Sequence, residues 1–125
     1  MSDSKKKLKD SWDQHEGPII FSTVDKKGVP NAIYVTFARL LDDGRIVLAD
    51  NYFNKTRTNI KNGSKGSVLF ITGEKKSFQA KGDIAYLTDG PIYEDMRVWV
   101  DQKHPRVAAA VLTIEALYSG AEKLI

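Results

Sequence analysis

The sequence contains no cysteine, which excludes disulfides, thiolate metal sites and a cysteine nucleophile together. Its only two histidines, His15 and His104, lie far apart and neither has a second histidine at ligand spacing, so a histidine-based metal centre is not expected. No apolar run approaches the roughly 18 residues needed to cross a bilayer. The opening stretch, Met1 to Asp13, alternates lysines with acids in place of an apolar signal core. No membrane span, no export and a cytoplasmic location are the corresponding expectations. No serine stands in a nucleophile-elbow pattern, which removes support for hydrolase chemistry. Acidic residues are missing from one stretch in particular: none falls between Asp50 and Glu74, whereas Lys55, Arg57, Lys61 and Lys65 all do.

What is present suits one globular domain over residues 1–125, with 42% hydrophobic and 28% charged residues. A net charge of +3 fits an anionic ligand as well as it fits nucleic acid. However, Asp25, Asp42, Asp43, Asp83, Asp89, Glu94 and Asp95 are spread over turns and a helix start. They interrupt any continuous basic groove, and no nucleic-acid partner is expected.

The hydrophobic pattern is mainly of period two. Ser2 to Gln14 reads as a short helix, capped by Ser2 or Asp3, with Leu8 and Trp12 on one face. Strands are expected over Ile19–Val24 and Asn31–Leu41, joined by the tight turn Asp25-Lys26-Lys27-Gly28. Leu41-Asp42-Asp43-Gly44 then turns into a strand from Arg45 to Ala49. A short helix from Asn54 to Asn62 follows, then strands over Ser67–Thr72 and Ser77–Thr88, the second carrying Gly82 as a bulge or bend. Gly90-Pro91 opens a further helix with Ile92, Met96, Trp99 and Val100 as its buried stripe, and Val107–Tyr118 is the last strand. Short antiparallel strands with tight turns predict a mainly β fold, a six-stranded antiparallel barrel with a few helices.

Chemistry is concentrated in Asn54-Lys55-Thr56-Arg57-Thr58-Asn59, where an ammonium and hydroxyls meet a helix start in the basic stretch. Those are phosphate-binding parts. A solvated basic helix capped by Asn54 is the competing explanation of the same residues.

The run from Gly28 to Ile71, followed by "FQAKGDIAYLTDGPIYEDM", resembles the FMN-binding split barrel family related to pyridoxamine 5′-phosphate oxidase. The pattern that carries the resemblance is Pro30 leading a strand, Asp43-Gly44 in a hairpin, Lys55-Thr56, and Asn59 three residues after the threonine. Length and layout are similar to the small bacterial FMN-binding proteins, which are homodimers. The resemblance implies that Lys55 and Thr56, in the turn opened by Asn54, hold the FMN phosphate. It implies that the strand residues Asn31, Ala32, Ile33 and Tyr34 lie along the isoalloxazine ring, and that Ala49, Asp50 and Asn51 border the ribityl chain and ring. Gln79 is placed to reach the flavin across the dimer, or else is a solvated strand residue. Trp12, Trp99, Leu124 and Ile125 are further candidates to cover the ring. An oxidoreductase or electron carrier with a small-molecule or protein redox partner is implied, and so is a non-catalytic FMN module. Relatives of similar length bind the deazaflavin F420 or haem instead. The C-terminal arginine and histidine substrate motif of true pyridoxamine 5′-phosphate oxidases has no match.

Overall fold

A computed structural model describes residues 2–125, the side chain of Ser2 lying outside the described part. Helix α1 (Ser2–Asp13) is followed by strands β1 (Ile19–Val24), β2 (Pro30–Val35), β3 (Ala38–Leu40) and β4 (Ile46–Asp50). Helix α2 (Lys55–Lys61) precedes β5 (Gly66–Ile71) and β6 (Ser77–Leu87), and helix α3 (Pro91–Trp99) precedes β7 (Ala108–Ser119) and the two-residue β8 (Glu122–Lys123). All pairings are antiparallel, in the order β2-β1-β5-β6-β7-β4-β3, with β8 added beside β7. The mainly β, antiparallel barrel-like fold expected from the sequence is therefore observed, as a curled sheet of eight strands in place of the expected six.

The two extra strands are β8 and the product of dividing one expected strand in two. The run Asn31–Leu41 is not one strand. It breaks at Thr36, so that β2 pairs with β1 while β3 pairs with β4, at opposite ends of the sheet. Two ladders with different neighbours cannot share one straight strand, and the corner resolves the conflict. The Phe37 carbonyl still accepts from the Ala49 amide at 3.0 Å, so the second ladder begins immediately past the corner.

Inside the curled sheet, Ile19, Phe21, Ile46, Leu48, Val68, Leu112 and Leu117 form an apolar core, joined by Leu8 and Trp12 of α1. Outside it, Met96 of α3 and Val100 immediately past its end pack on Val47, Ala49, Ala109 and Val111, with Ile92 and Trp99 flanking, as the expected stripe required. Strand β4 is thus covered on both faces, which explains its unbroken apolar run. Gly82 sits at the register shift between β6 and β7, where an added Cβ would lie 1.8 Å from the Thr113 carbonyl oxygen. Only glycine lets the two long strands bend there.

Candidate functional site

The two strand ends flanking the corner, and the loop leaving β4, surround a cavity of about 310 Å³. Its walls come from Ile33, Tyr34 and Thr36 on one side and Ala49, Asn51 and Phe53 on the other, with Phe37, Tyr52 and His104 alongside. Of the residues expected along a ring, Ile33, Tyr34, Ala49 and Asn51 therefore meet in one place. Asn31 and Ala32 lie further back on β2, toward α2. There the Asn31 side-chain amide donates to the Thr56 hydroxyl oxygen at 2.9 Å. One strand thus runs from the helix start to the cavity.

At the helix start, Asn54 occupies the capping position without a side-chain capping bond, and the first backbone amide to be bonded back to it is that of Thr58, at 3.2 Å. Thr56 is buried and accepts from Asn31, which leaves its own hydroxyl proton to donate. Asn59, also buried, donates to the Thr23 hydroxyl at 3.0 Å and fastens α2 to β1. Its position in the motif is explained by that tie.

The basic stretch is less unopposed in space than in sequence. Arg57 grips the buried Asp50 carboxylate with two bonds, Nε to Oδ2 at 2.8 Å and a terminal nitrogen to Oδ1 at 2.9 Å. Lys65 pairs with Asp83 and Glu115 at 2.9 and 2.7 Å. Lys61 lies over the Tyr86 ring. Lys55 alone of the four is exposed with neither a carboxylate nor an aromatic partner among the described residues.

Asp50 itself faces the barrel interior. Besides Arg57 it accepts from the Phe53 amide at 3.0 Å and from the Tyr86 hydroxyl, so its carboxylate is a buried structural hub. The Asp50 carboxylate holds the Arg57 guanidinium above its ordinary range, and burial, followed by the bond to Asp50, pushes the Tyr86 phenol up to about 12.

Gln79 stands apart from the cavity within the chain. It lies on the outer face of β6, donating to the Ser67 hydroxyl at 3.1 Å. The ladders place Gln79, Leu69, Ile20 and Tyr34 in one row across four strands. In that row Tyr34 is 74% exposed and Leu69 37%, with Ile71 on the next rung at 43%. Trp12 is locked in the core against Phe70, so it is not available to cover a ligand, and Leu124 packs on the same core. Trp99 packs at α3 beneath the Arg39 guanidinium.

Residues 5–119 match the family model described as pyridoxamine 5′-phosphate oxidase. The chain belongs to this family. The uncharacterized protein MJ0282 of Methanocaldococcus jannaschii is 33% identical over 78 residues, covering 60% of this chain and 52% of that protein. The chain thus spans about half the length of the curated relative it matches. An FMN-binding protein from Syntrophomonas wolfei has a similar structure, with a TM-score of 0.77 and 21% identity over 99% of this chain and 89% of that one. So does a heme binding protein from Mycobacterium smegmatis, with a TM-score of 0.71 and 13% identity over 93% of this chain and 53% of that one. At these identities the two structures speak for the shared family fold.

Phe37, Phe53, Tyr52 and His104 were not marked by any spacing in the sequence. Tyr52 and His104 are 52 residues apart, yet the Tyr52 hydroxyl and His104 Nδ1 are hydrogen-bonded at 3.1 Å. His104 also packs its ring near Phe37, with centroids 5.1 Å apart. Only the folded chain brings these groups together.

Proposed function

We infer that this member of the pyridoxamine 5′-phosphate oxidase family binds FMN, as a homodimer, and serves as an oxidoreductase or electron carrier in the cytoplasm. The observation that carries the reading is the path along β2: an ammonium, Lys55, with no carboxylate partner among the described residues, beside the Asn31–Thr56 bond at one end, and an aromatic-walled cavity at the other. The donor set fits the group. An ammonium, a hydroxyl proton and unbonded amides suit a phosphate, while Ile33, Phe37 and Phe53 suit a flat ring, with strand backbone available to its polar edges. Bound FMN would supply the electron-transfer chemistry. The chain's own residues would anchor the phosphate through Asn54, Lys55 and Thr56 and orient the ring between Asn31–Tyr34 and Ala49–Asn51.

Support for the dimer comes from the apolar row of Ile20, Leu69 and Tyr34 on the outer sheet face, a patch of the sort that marks an interaction surface. A second copy seated there would bring its Gln79 toward the first copy's Tyr34, since both stand in that row.

The deciding experiment is an absorption spectrum of the purified protein with cofactor extraction and mass measurement. A flavin spectrum and the mass of FMN are expected. A deazaflavin or haem in its place would overturn the FMN assignment, and a colourless protein that leaves added FMN fluorescence unchanged would overturn the whole reading. Reduction of the bound flavin by NADH or NADPH separates an enzyme from a carrier. Sedimentation should give a dimer, broken by Leu69→Lys.

A further inference from the structure

We propose that His104 and Tyr52 form the side-chain rim that recognises the polar edge of the ring in this cavity, with His104 Nε2 as the contacting atom and Tyr52 as the residue that positions it. The proposal rests on the flavin reading above and names two residues that reading does not use.

Several polar groups line the cavity, and among the described residues the Tyr34 and Thr36 hydroxyls and the Asn51 side-chain nitrogen have no hydrogen-bond partner. The Asn51 side-chain Oδ1 accepts from the Arg106 backbone amide at 2.9 Å, which ties the loop after β4 to the segment carrying His104. The Tyr52 hydroxyl is engaged by His104 Nδ1. His104 differs from these groups in being held on two sides, by the Tyr52 hydroxyl at Nδ1 and by the Phe37 ring, while its second nitrogen has no hydrogen-bond partner among the described residues. A neutral imidazole carries one N–H, so the bond made at Nδ1 decides what Nε2 offers. When the Tyr52 hydroxyl donates to Nδ1, Nε2 bears the proton and is a donor. When Nδ1 donates to the hydroxyl oxygen, Nε2 is an acceptor. A phenol that rotates serves either arrangement.

This versatility suits a redox-active ring, whose edge accepts hydrogen bonds when oxidised and gains donors when reduced. The placement of His104 is also held with care. Two residues on, Arg106 adopts φ +49, a left-handed conformation unusual for a side chain of its size. It is kept there by the Asn51 bond and by its own guanidinium donating to the Arg97 carbonyl at 2.9 Å. Such strain concentrates where a group must be aimed. Tyr52 is 71% exposed, so its bond to His104 is not a by-product of core packing.

Binding of FMN and of riboflavin, which lacks the phosphate, is followed by flavin fluorescence in wild type, His104→Leu and Tyr52→Phe. Loss of one neutral hydrogen bond should weaken both ligands by about fivefold in His104→Leu. Lys55→Ala should instead weaken FMN selectively. Tyr52→Phe tests positioning: nitrogen NMR of the imidazole should change from a tautomer balance set by the phenol to that of an untethered ring, and both flavins should again bind less tightly. Unchanged riboflavin affinity in His104→Leu, with wild type binding FMN, overturns this proposal and leaves the flavin reading standing. An unchanged imidazole spectrum in Tyr52→Phe overturns the positioning role. A wild-type protein that binds neither flavin overturns both readings.

Discussion

The side-chain amide of Asn31 donates to the hydroxyl oxygen of Thr56 at 2.9 Å, joining the start of β2 to the first turn of α2. The buried Thr56→Val substitution preserves shape but leaves that amide without its acceptor, a loss of about 1–3 kcal/mol. Urea denaturation should register a drop of this order. An unchanged midpoint would mean that the bond contributes nothing to joining the two elements.

Breaking the Asp50–Arg57 pair should be more damaging. Asp50 is fully buried, and Asp50→Ala removes the acceptor for Arg57, Tyr86 and the Phe53 amide at once. Loss of one member of a buried ion pair typically costs about 3–5 kcal/mol. With the Arg57 side chain still 32% exposed, water softens the loss toward the lower figure. Thermal denaturation of the two proteins measures it.

The Tyr86 phenol gives stability an alkaline limit. Its pKa rises from an ordinary 10.0 to about 12 in the folded chain, chiefly through burial. Above the ordinary value the unfolded chain releases this proton while the folded chain keeps it, so the unfolded state binds fewer protons and stability falls as pH rises. This contribution is intact below pH 10.0 and is lost progressively up to about 12. Denaturant titrations of wild type and Tyr86→Phe should show a smaller alkaline decline in the variant. Equal declines would remove Tyr86 as the cause.

Lys55→Ala separates ligand binding from folding. The side chain is exposed and makes no ion pair among the described residues, so stability should stay within about 0.5 kcal/mol of wild type. FMN affinity should fall by about tenfold or more, the scale of a hydrogen bond to a charged group. Parallel urea and FMN titrations test both halves. Undiminished FMN binding would move the phosphate away from this turn.

Two glycines should respond differently to alanine. At Gly82 the new methyl would meet the Thr113 backbone carbonyl at 1.8 Å, and only a shift of the β6–β7 ladder relieves it. At Gly66 it would meet side chains, the end of Ile84 at 2.5 Å and the buried Phe21 ring at 2.8 Å, which can give way where a backbone carbonyl cannot. Gly82→Ala should lose most of its folded yield, while Gly66→Ala should fold with reduced stability. The comparison is made by circular dichroism and thermal melting.

Much of this was legible before the structure. Gly28 and Gly44 marked their hairpins, Gly90-Pro91 the start of α3, and Gly82 the bend, because each signal is local and depends on backbone conformation. The corner at Thr36 was not, since nothing in "YVTFA" breaks an alternating pattern. What bends the chain is the pull of two different neighbours, β1 and β4. The apparent basic stretch misled for the same reason: the acids that answer Lys65, Asp83 and Glu115, lie 18 and 50 positions further on. His104 beside Tyr52 is a meeting of two loops, and spacing along the chain carries no trace of it.

The outermost strands of the ladder order, β2 and β3, are consecutive in the chain. A force that tried to unroll the sheet by pulling these two edges apart would therefore load peptide bonds at Thr36, whereas peeling β1 from β5 or β4 from β7, pairs distant in the chain, loads their ladder hydrogen bonds. The corner acts as a rivet, and the cavity built around it inherits walls that cannot drift apart without covalent rupture or prior loss of the flanking ladders.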